Sequence, residues 1–457
     1  MEPRSLKYLT QACEGELRNG SPERVATSTS TDSRRAGPGD LFFALAGDRF
    51  DAHSFLPDVA KTGVVAVVAD AKKIPANFFT TVIQVDDTRK ALGNLGARYR
   101  RDFDLPIVAV AGSNGKTTTK ELLASVLRQK FKTHWSEASF NNDIGVPVTL
   151  LKLETAHQAA VLEVGTNHPG ELAPLLKWIR PQMGVITSIG REHLEYFGDL
   201  AGVAKEEGEL AEALPADGVL FVNGESELIE SVVQRTRAKV VRVGFKPGYD
   251  CFATDIQFSG LGVNFHATSQ RADLCGEYRL KLLGRHQVSN ALLALSVAGE
   301  LGLSRAEIQR GLAECEPAKM RLQTWVVNGI QVLDDSYNAN ADSMLSALAT
   351  LRDLPCVGRR VAVLGDMAEL GDQTLSAHTE VGQRAACSGI DHLFSVGKMA
   401  RVTADSARAA GLRGVTEISD VELAGESLKK FLKPGDVVLL KASRATRIER
   451  IGEMLRN

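Results

Sequence analysis

The residues best suited to chemistry sit in "GSNGKTT", Gly112–Thr118, between an apolar run and an amphipathic one. Pro106 to Ala111 is apolar and β-branched, which predicts a buried strand. Beyond Thr117, Leu122 with Val126, and Leu123 with Leu127 and Phe131, recur at helical spacing. Strand, glycine turn and helix in that order are the context of a phosphate-binding loop. Backbone N–H groups at a helix start point at an anion, and the helix dipole adds to the attraction. In such a loop Lys116 reaches outer phosphates and the Thr117 hydroxyl can ligate Mg²⁺. The full pattern G-x-x-x-x-G-K-[ST] calls for glycine at Val110; Gly112 is present instead, giving G-x-x-G-K-T-T. An ordinary glycine-rich turn with a surface lysine is the competing reading.

Other chemical groups fall where strands end. Glu163 closes "AAVLE", and ligands of open α/β sheets bind beyond carboxyl ends of strands. A carboxylate there suits a hard cation, unless it merely faces solvent. Thr166, Asn167 and His168 follow in a turn that suits substrate contacts. His193 follows the next strand in "GREHLEYFGDL", as a ligand or a structural histidine. Asn141, Asn142 and Asp143 crowd the loop "SFNNDIGVP", which turn chemistry also explains. "DDSYNANADSM", Asp334–Met344, packs two acids, a tyrosine and two asparagines after a strand, denser than a generic turn needs. "LGDMAELG" repeats the idea one strand later. "LKASR" sets Lys441 and Arg444 beyond a third strand, ready for a carboxylate or phosphate.

Positioning these groups requires an α/β architecture. The chain has 457 residues, 44% hydrophobic and 24% charged, enough for about three domains. Short strands such as "VVAVVAD" mark a small α/β first segment, 1–104, before the charged "ARYRRDFD". Segment 105–317 alternates strands ("AAVLEVG", "MGVITSIG", "GVLFVNG") with helices, so a mainly parallel sheet covered on both faces is expected. "ECEPAKM" reads as a linker, and segment 318–457 alternates again with a Rossmann-like rhythm. It lacks G-x-G-x-x-G, so no dinucleotide cofactor is indicated. Net charge is −2, which gives no electrostatic case for nucleic acid. No apolar run approaches the roughly 18 residues of a membrane span. Six scattered cysteines without a C-x-x-C pair fit reduced thiols in a cytoplasm. A monomer is the default expectation.

The segments G-S-N-G-K-T-T-T, E-V-G-T-N, R-E-H-L-E-Y-F-G, G-R-H-Q-V-S-N and D-D-S-Y-N-A-N, in this order, resemble the Mur ligase family of cell-wall synthesis. The N-terminal Thr31–Phe55 stretch resembles that family's uridine-nucleotide domain, and the likeness spans nearly the whole chain. The resemblance implies an ATP-dependent ligase of peptidoglycan precursor synthesis. S-Y-N-A-N implies the member that adds D-alanyl-D-alanine to UDP-N-acetylmuramoyl-tripeptide through an acyl phosphate. It further implies that Gly112, Ser113, Asn114, Gly115, Lys116, Thr117 and Thr118 cradle ATP, with Asn290 at the adenine and Arg321 near the nucleotide. Thr117, Glu163 and His193 would serve Mg²⁺, and Lys116, Glu163 and His193 would be the catalytic groups. Ser33 and Arg34 would lie near the uridine diphosphate; Asn141, Asn142 and Thr166 would face the peptide; Ser336, Tyr337, Asn338 and Asn340 would bind the dipeptide.

Some positions depart from the family pattern. Many members carry a carbamylated lysine that supplies a Mg²⁺-binding carboxylate. Counting from His193, that position is Glu207 in "VAKEEGEL". Lys205, two residues earlier, lies about 200° away around a helix. Glu207 is therefore expected to provide a permanent carboxylate; a one-turn slip would leave it on a solvated acidic face. Gln287, Ala341 and Ala442 replace the usual Asn, Pro and Gly. Rival readings are a tripeptide-forming Mur enzyme, a folylpolyglutamate synthase, a nucleotide-binding regulator and a kinase.

Overall fold

The computed structural model describes residues 1–47, 50–259 and 262–456. Asp48 and Arg49 of the Thr31–Phe55 stretch lie outside them. Two compact units emerge: residues 1–109, 131–166 and 170–183 form one, and 110–130, 167–169 and 184–457 form the other.

In the first unit a five-stranded sheet runs Glu16–Arg18, Val82–Val85, Ala66–Asp70, Asp40–Phe43, Ser28–Ser30. Its last four strands are parallel and its first pairs antiparallel. Phe42, Val67, Ala69 and Val82 pack with Leu56 and Val59 of the helical stretch Leu56–Lys61, which explains the apolar run of "VVAVVAD".

The largest sheet has nine strands in the order Gly276–Leu280, Gly262–Ser269, Cys251–Ser259, Lys239–Gly244, Val219–Asn223, Met183–Ile186, Ile107–Ala111, Ala159–Glu163, Thr133–Trp135. Ala159–Glu163 pairs parallel with Thr133–Trp135, and Val219–Asn223 parallel with Lys239–Gly244. An antiparallel ribbon, Cys251–Ser259 with Gly262–Ser269 and Gly276–Leu280, ends the sheet. Its strands alternate buried and exposed residues because one face meets solvent. Ile107–Ala111 and Ala159–Glu163 are buried throughout, as continuous apolar runs require.

A six-stranded sheet follows: Gln323–Val327, Ile330–Asp334, Val437–Lys441, Arg360–Leu364, His392–Val396, Val415–Ile418. Five strands are parallel and Gln323–Val327 is an antiparallel edge. Helices cover both faces. Leu333, Ala362, Leu364 and Leu439 pack with Met344 and Leu348 on one side; Val332, Val363, Val438 and Leu440 pack with Leu428 and Ile451 on the other. The expected mainly parallel α/β fold is observed, with the Rossmann-like sheet last.

Candidate active site

Strand Ile107–Ala111 feeds the glycine loop, and helix Lys116–Leu127 leaves it. Gly112 and Gly115 hold φ of 113° and 90°, conformations L side chains rarely adopt. A Cβ on Gly112 would lie 2.4 Å from Thr187 Oγ1, and one on Gly115 would lie 2.7 Å from Asn290 Oδ1. Asn290 is thus packed against the phosphate loop, its amide donating to Gln287 Oε1 at 2.8 Å. Residues 188–190 brace the loop. Ser113 Oγ accepts from Gly190 N at 2.8 Å, and Asn114 N donates to Ser188 Oγ at 2.9 Å.

Lys116 Nζ donates to the carbonyl of Gly112 and lies 3.3 Å from Glu192 Oε2. Glu207, buried on helix Leu200–Glu207, accepts from Gly112 N through Oε2 at 2.6 Å. It therefore does not sit on a solvated face. Burial first, then repulsion from Glu192, pushes its carboxyl well above the usual range, while Lys116 opposes the rise. Two buried carboxylates facing one ammonium carry surplus negative charge when both are ionised. Oε1 of Glu192 and of Glu207 are buried without a hydrogen-bond partner. Such oxygens fit a hard divalent cation. Thr117 is buried and Thr118 half-buried in the first turn of the helix. Among the described residues no three His, Cys, Asp or Glu side chains already converge as a ready metal cluster.

His193 takes a left-handed backbone, φ 47°. Its Nδ1 lies 2.5 Å from Glu369 Oε2 in the "GDMAELG" loop, a bond that holds the Glu369 carboxyl below its usual range. A histidine anchored through Nδ1 by a carboxylate keeps Nε2 for a metal. In the first unit, Glu163 is buried at its strand end. Its Oε1 accepts from Asn141 Nδ2 at 2.9 Å, and its N–H donates to Ser136 Oγ at 3.1 Å. Thr166 is buried near Glu171, and Asp32 pins Arg34 beside half-buried Ser33 through Nε and Nη2.

Several expected site residues also have partners within the protein. Asn142 Oδ1 is committed to the N–H groups of Ile144 and Gly145, which is turn chemistry. Ser336 is buried, its hydroxyl donated to Asp334 Oδ1. Asn340 caps helix Ala341–Asp353 by accepting from Ser343 N at 2.8 Å, and its Nδ2 donates to Asn114 Oδ1 at 3.0 Å. Lys441 is no free cation. It ends its strand buried, 2.5 Å from Asp335 Oδ2 and 3.1 Å from the Asn338 carbonyl. Burial lowers its pKa more than Asp335 raises it. Asn338 is exposed, and Tyr337 lies under the Arg321 guanidinium at 4.1 Å. Arg444 is exposed and paired with Glu449.

Sequence reasoning missed Glu192, Glu369 and the Asn114–Asn340 link. The charged triplet R-E-H at a strand end was the available signal for Glu192; Glu369 and Asn340 meet their partners only through the tertiary fold.

Comparison with known proteins gives a consistent result. Residues 26–100 match the Mur ligase family catalytic domain, 110–298 the Mur ligase middle domain, and 320–444 the Mur ligase glutamate ligase domain. The UDP-N-acetylmuramoyl-tripeptide–D-alanyl-D-alanine ligase of Escherichia coli is 37% identical over 456 residues, covering 98% of this chain and 97% of that one. A crystal structure of MurF from Acinetobacter baumannii superposes with TM-score 0.92 at 32% identity, covering all of both chains. The MurF ligase of Thermotoga maritima, solved in complex with ADP, superposes with TM-score 0.82 at 27% identity over 94% of this chain and 97% of that one. With these matches and the phosphate loop just described, the chain belongs to the Mur ligase family.

Proposed function

We propose that this chain is the ATP-dependent ligase that joins D-alanyl-D-alanine to the terminal carboxylate of UDP-N-acetylmuramoyl-tripeptide. The Escherichia coli relative carries the two joined substrates in its name, and the Thermotoga maritima relative was solved with ADP. The observation that carries the reading is the Asn114–Asn340 hydrogen bond, 3.0 Å, which ties the phosphate loop to the S-Y-N-A-N segment. Phosphoryl chemistry and dipeptide acceptance then share one neighbourhood.

A carboxylate at neutral pH does not acylate an amine. One of its oxygens attacks the γ-phosphorus of ATP, the bond to ADP breaks, and an acyl phosphate forms. The dipeptide amine attacks the carbonyl, a tetrahedral intermediate collapses, and inorganic phosphate leaves as the nitrogen loses a proton. Lys116 neutralises charge on the moving phosphoryl group, and the N–H groups of the glycine loop orient it. Magnesium, when bound, supplies further charge neutralisation. Thr117, Glu163, His193 and Glu207 are the residues we assign to hold it, with Glu207 as a permanent carboxylate. Ser113, Asn114, Asn290 and Arg321 are assigned to the nucleotide, Ser33 and Arg34 to the uridine diphosphate, Asn141 and Thr166 to the peptide. Ser336, Tyr337, Asn338 and Asn340 are assigned to the dipeptide, and Asn142, Lys441 and Arg444 are further residues assigned to substrate.

We assign nucleotide-substrate binding to 1–104, ATP binding to 105–317 and dipeptide binding to 318–457. No helix among the described residues is long and apolar enough to cross a membrane. Because ATP and a uridine nucleotide are cytoplasmic, we place the reaction there, carried out by a monomer.

The test is phosphate release with mass spectrometry of the product, using UDP-N-acetylmuramoyl-tripeptide with D-Ala-D-Ala or with single amino acids. A product heavier by one dehydrated dipeptide, formed only with the dipeptide, is expected. Release only with a single amino acid moves the chain to a sister ligase; no release overturns the reading.

A further inference from the structure

Residues 188–193 form a strip with two sides. One side holds the phosphate loop: Ser188 bonds Asn114, Gly190 bonds Ser113, and Glu192 pairs with Lys116. The other side holds the last segment of the chain. His193 meets Glu369, and Glu195 N donates to the Glu369 carbonyl at 3.1 Å. Between them Arg191 makes the densest contact. Its backbone N–H donates to Asp342 Oδ2 at 2.8 Å, and its Nε to Asp342 Oδ1 at 2.8 Å. Nη2 lies 2.7 Å from the same Oδ1, and Nη1 lies 2.6 Å from Glu380 Oε2.

Asp342 stands two residues after Asn340, in the first turn of helix Ala341–Asp353; Glu380 lies on helix Thr374–Ala386. One guanidinium therefore fixes the start of one helix against the flank of the next. Isolated surface ion pairs contribute little, but a planar fork held by two carboxylates, with its own N–H on one of them, has defined geometry.

We infer that Arg191 is a positioning residue that couples occupancy of the phosphate loop to the placement of the S-Y-N-A-N segment, and so to acceptance of the dipeptide. A neutral hydrogen bond, Asn114 to Asn340, joins loop and segment. Arg191 adds the charged tie immediately beside it. The inference rests on the ligase reading above, because it names the dipeptide as the ligand affected.

The experiment measures kcat and the KM for each substrate in wild type, Arg191→Met and Arg191→Lys, with thermal unfolding alongside. Arg191→Met keeps the stem and the backbone N–H bond to Asp342 but removes the guanidinium from both carboxylates. The expected result is a dipeptide KM raised roughly tenfold, with the ATP KM within about twofold of wild type, since one charged tie is worth about a factor of ten. Arg191→Lys restores part of the effect, because an ammonium can serve one carboxylate but not both. The wild-type dipeptide KM rises with ionic strength, and that of Arg191→Met does not. Glu380→Gln, which removes one partner and leaves Asp342 in place, gives a smaller rise in the same parameter and serves if Arg191→Met fails to fold. Unchanged dipeptide KM in folded variants, or an equal rise for all substrates, overturns the inference. Wild type without dipeptide-dependent phosphate release overturns the ligase reading instead.

Discussion

Glu207 Oε2 accepts the amide hydrogen of Gly112 at 2.6 Å, so a helix residue 95 positions later closes the phosphate loop from behind. The carboxylate is buried, faces Glu192 and Lys116, and keeps a second oxygen without a hydrogen-bond partner. Glu207→Gln can preserve the bond to Gly112 while removing the charge. Ligase turnover should fall by about 10²-fold, with the unfolding temperature little changed. Wild-type turnover should not respond to removal of bicarbonate, whereas Glu207→Lys should gain activity when bicarbonate is added. Bicarbonate dependence of the wild type would refute the permanent-carboxylate role.

Gly112→Ala tests the loop backbone. The substituted residue would have to adopt φ 113° and place its Cβ 2.4 Å from Thr187 Oγ1 and 2.8 Å from Thr187 N. Strain of about 1–3 kcal/mol is expected, together with a displaced loop. Calorimetric titration with ATP should show affinity lost by at least about tenfold. Wild-type affinity would mean that the loop does not hold the nucleotide.

The Lys441–Asp335 pair supports the S-Y-N-A-N segment from beneath. Lys441 is almost wholly buried, and its Nζ also binds the Asn338 carbonyl. Removing one partner leaves a buried charge unmatched. Lys441→Met or Asp335→Asn should each destabilise the chain by about 3–5 kcal/mol, and the double variant by clearly less than their sum. Denaturant unfolding of the three variants measures this; strict additivity would contradict direct pairing.

Acid stability should report His134. Burial lowers its pKa to about 4, and its Nε2 lies 2.9 Å from the Thr149 carbonyl, which suits a neutral ring donating that bond. The unfolded chain binds the proton more readily, at a pKa near 6.5. Between about pH 6.5 and 4 the unfolded state therefore holds more protons, so stability present above that window is lost as pH falls through it. The contribution is about 3 kcal/mol. His134→Gln should flatten the unfolding-temperature profile across that window; an unchanged slope would place the titration elsewhere.

Much of the phosphate loop was legible because its chemistry is local. Gly112, Gly115, Lys116 and Thr117 lie within six residues, and the strand and helix beside them have clear apolar patterns. The antiparallel ribbon Cys251–Leu280 was not anticipated. Its alternation is broken by a register shift between Thr254 and Gln257 and by the short connection after Leu274. The edge strands Gln323–Val327 and Val415–Ile418 were also missed, because a half-exposed edge shows weak hydrophobic pattern.

The polar cluster Asp334–Met344 illustrates the division most sharply. Residue types alone marked it as a dense functional segment, and local order determined that it follows a strand and opens a helix. Which partner each member takes within the protein was decided only by the tertiary structure. Ser336 turns inward to Asp334, Asn340 is taken up by a helix cap and Asn114, and Lys441, 106 residues beyond Asp335, is drawn into the interior to balance it. Sequence spacing determines which groups share a turn or a helix face, since that depends on backbone geometry over a few residues. Partner choice across a hundred residues depends on which strands become neighbours in a sheet, and charge burial then commits each group to the counter-charge the packing brings near.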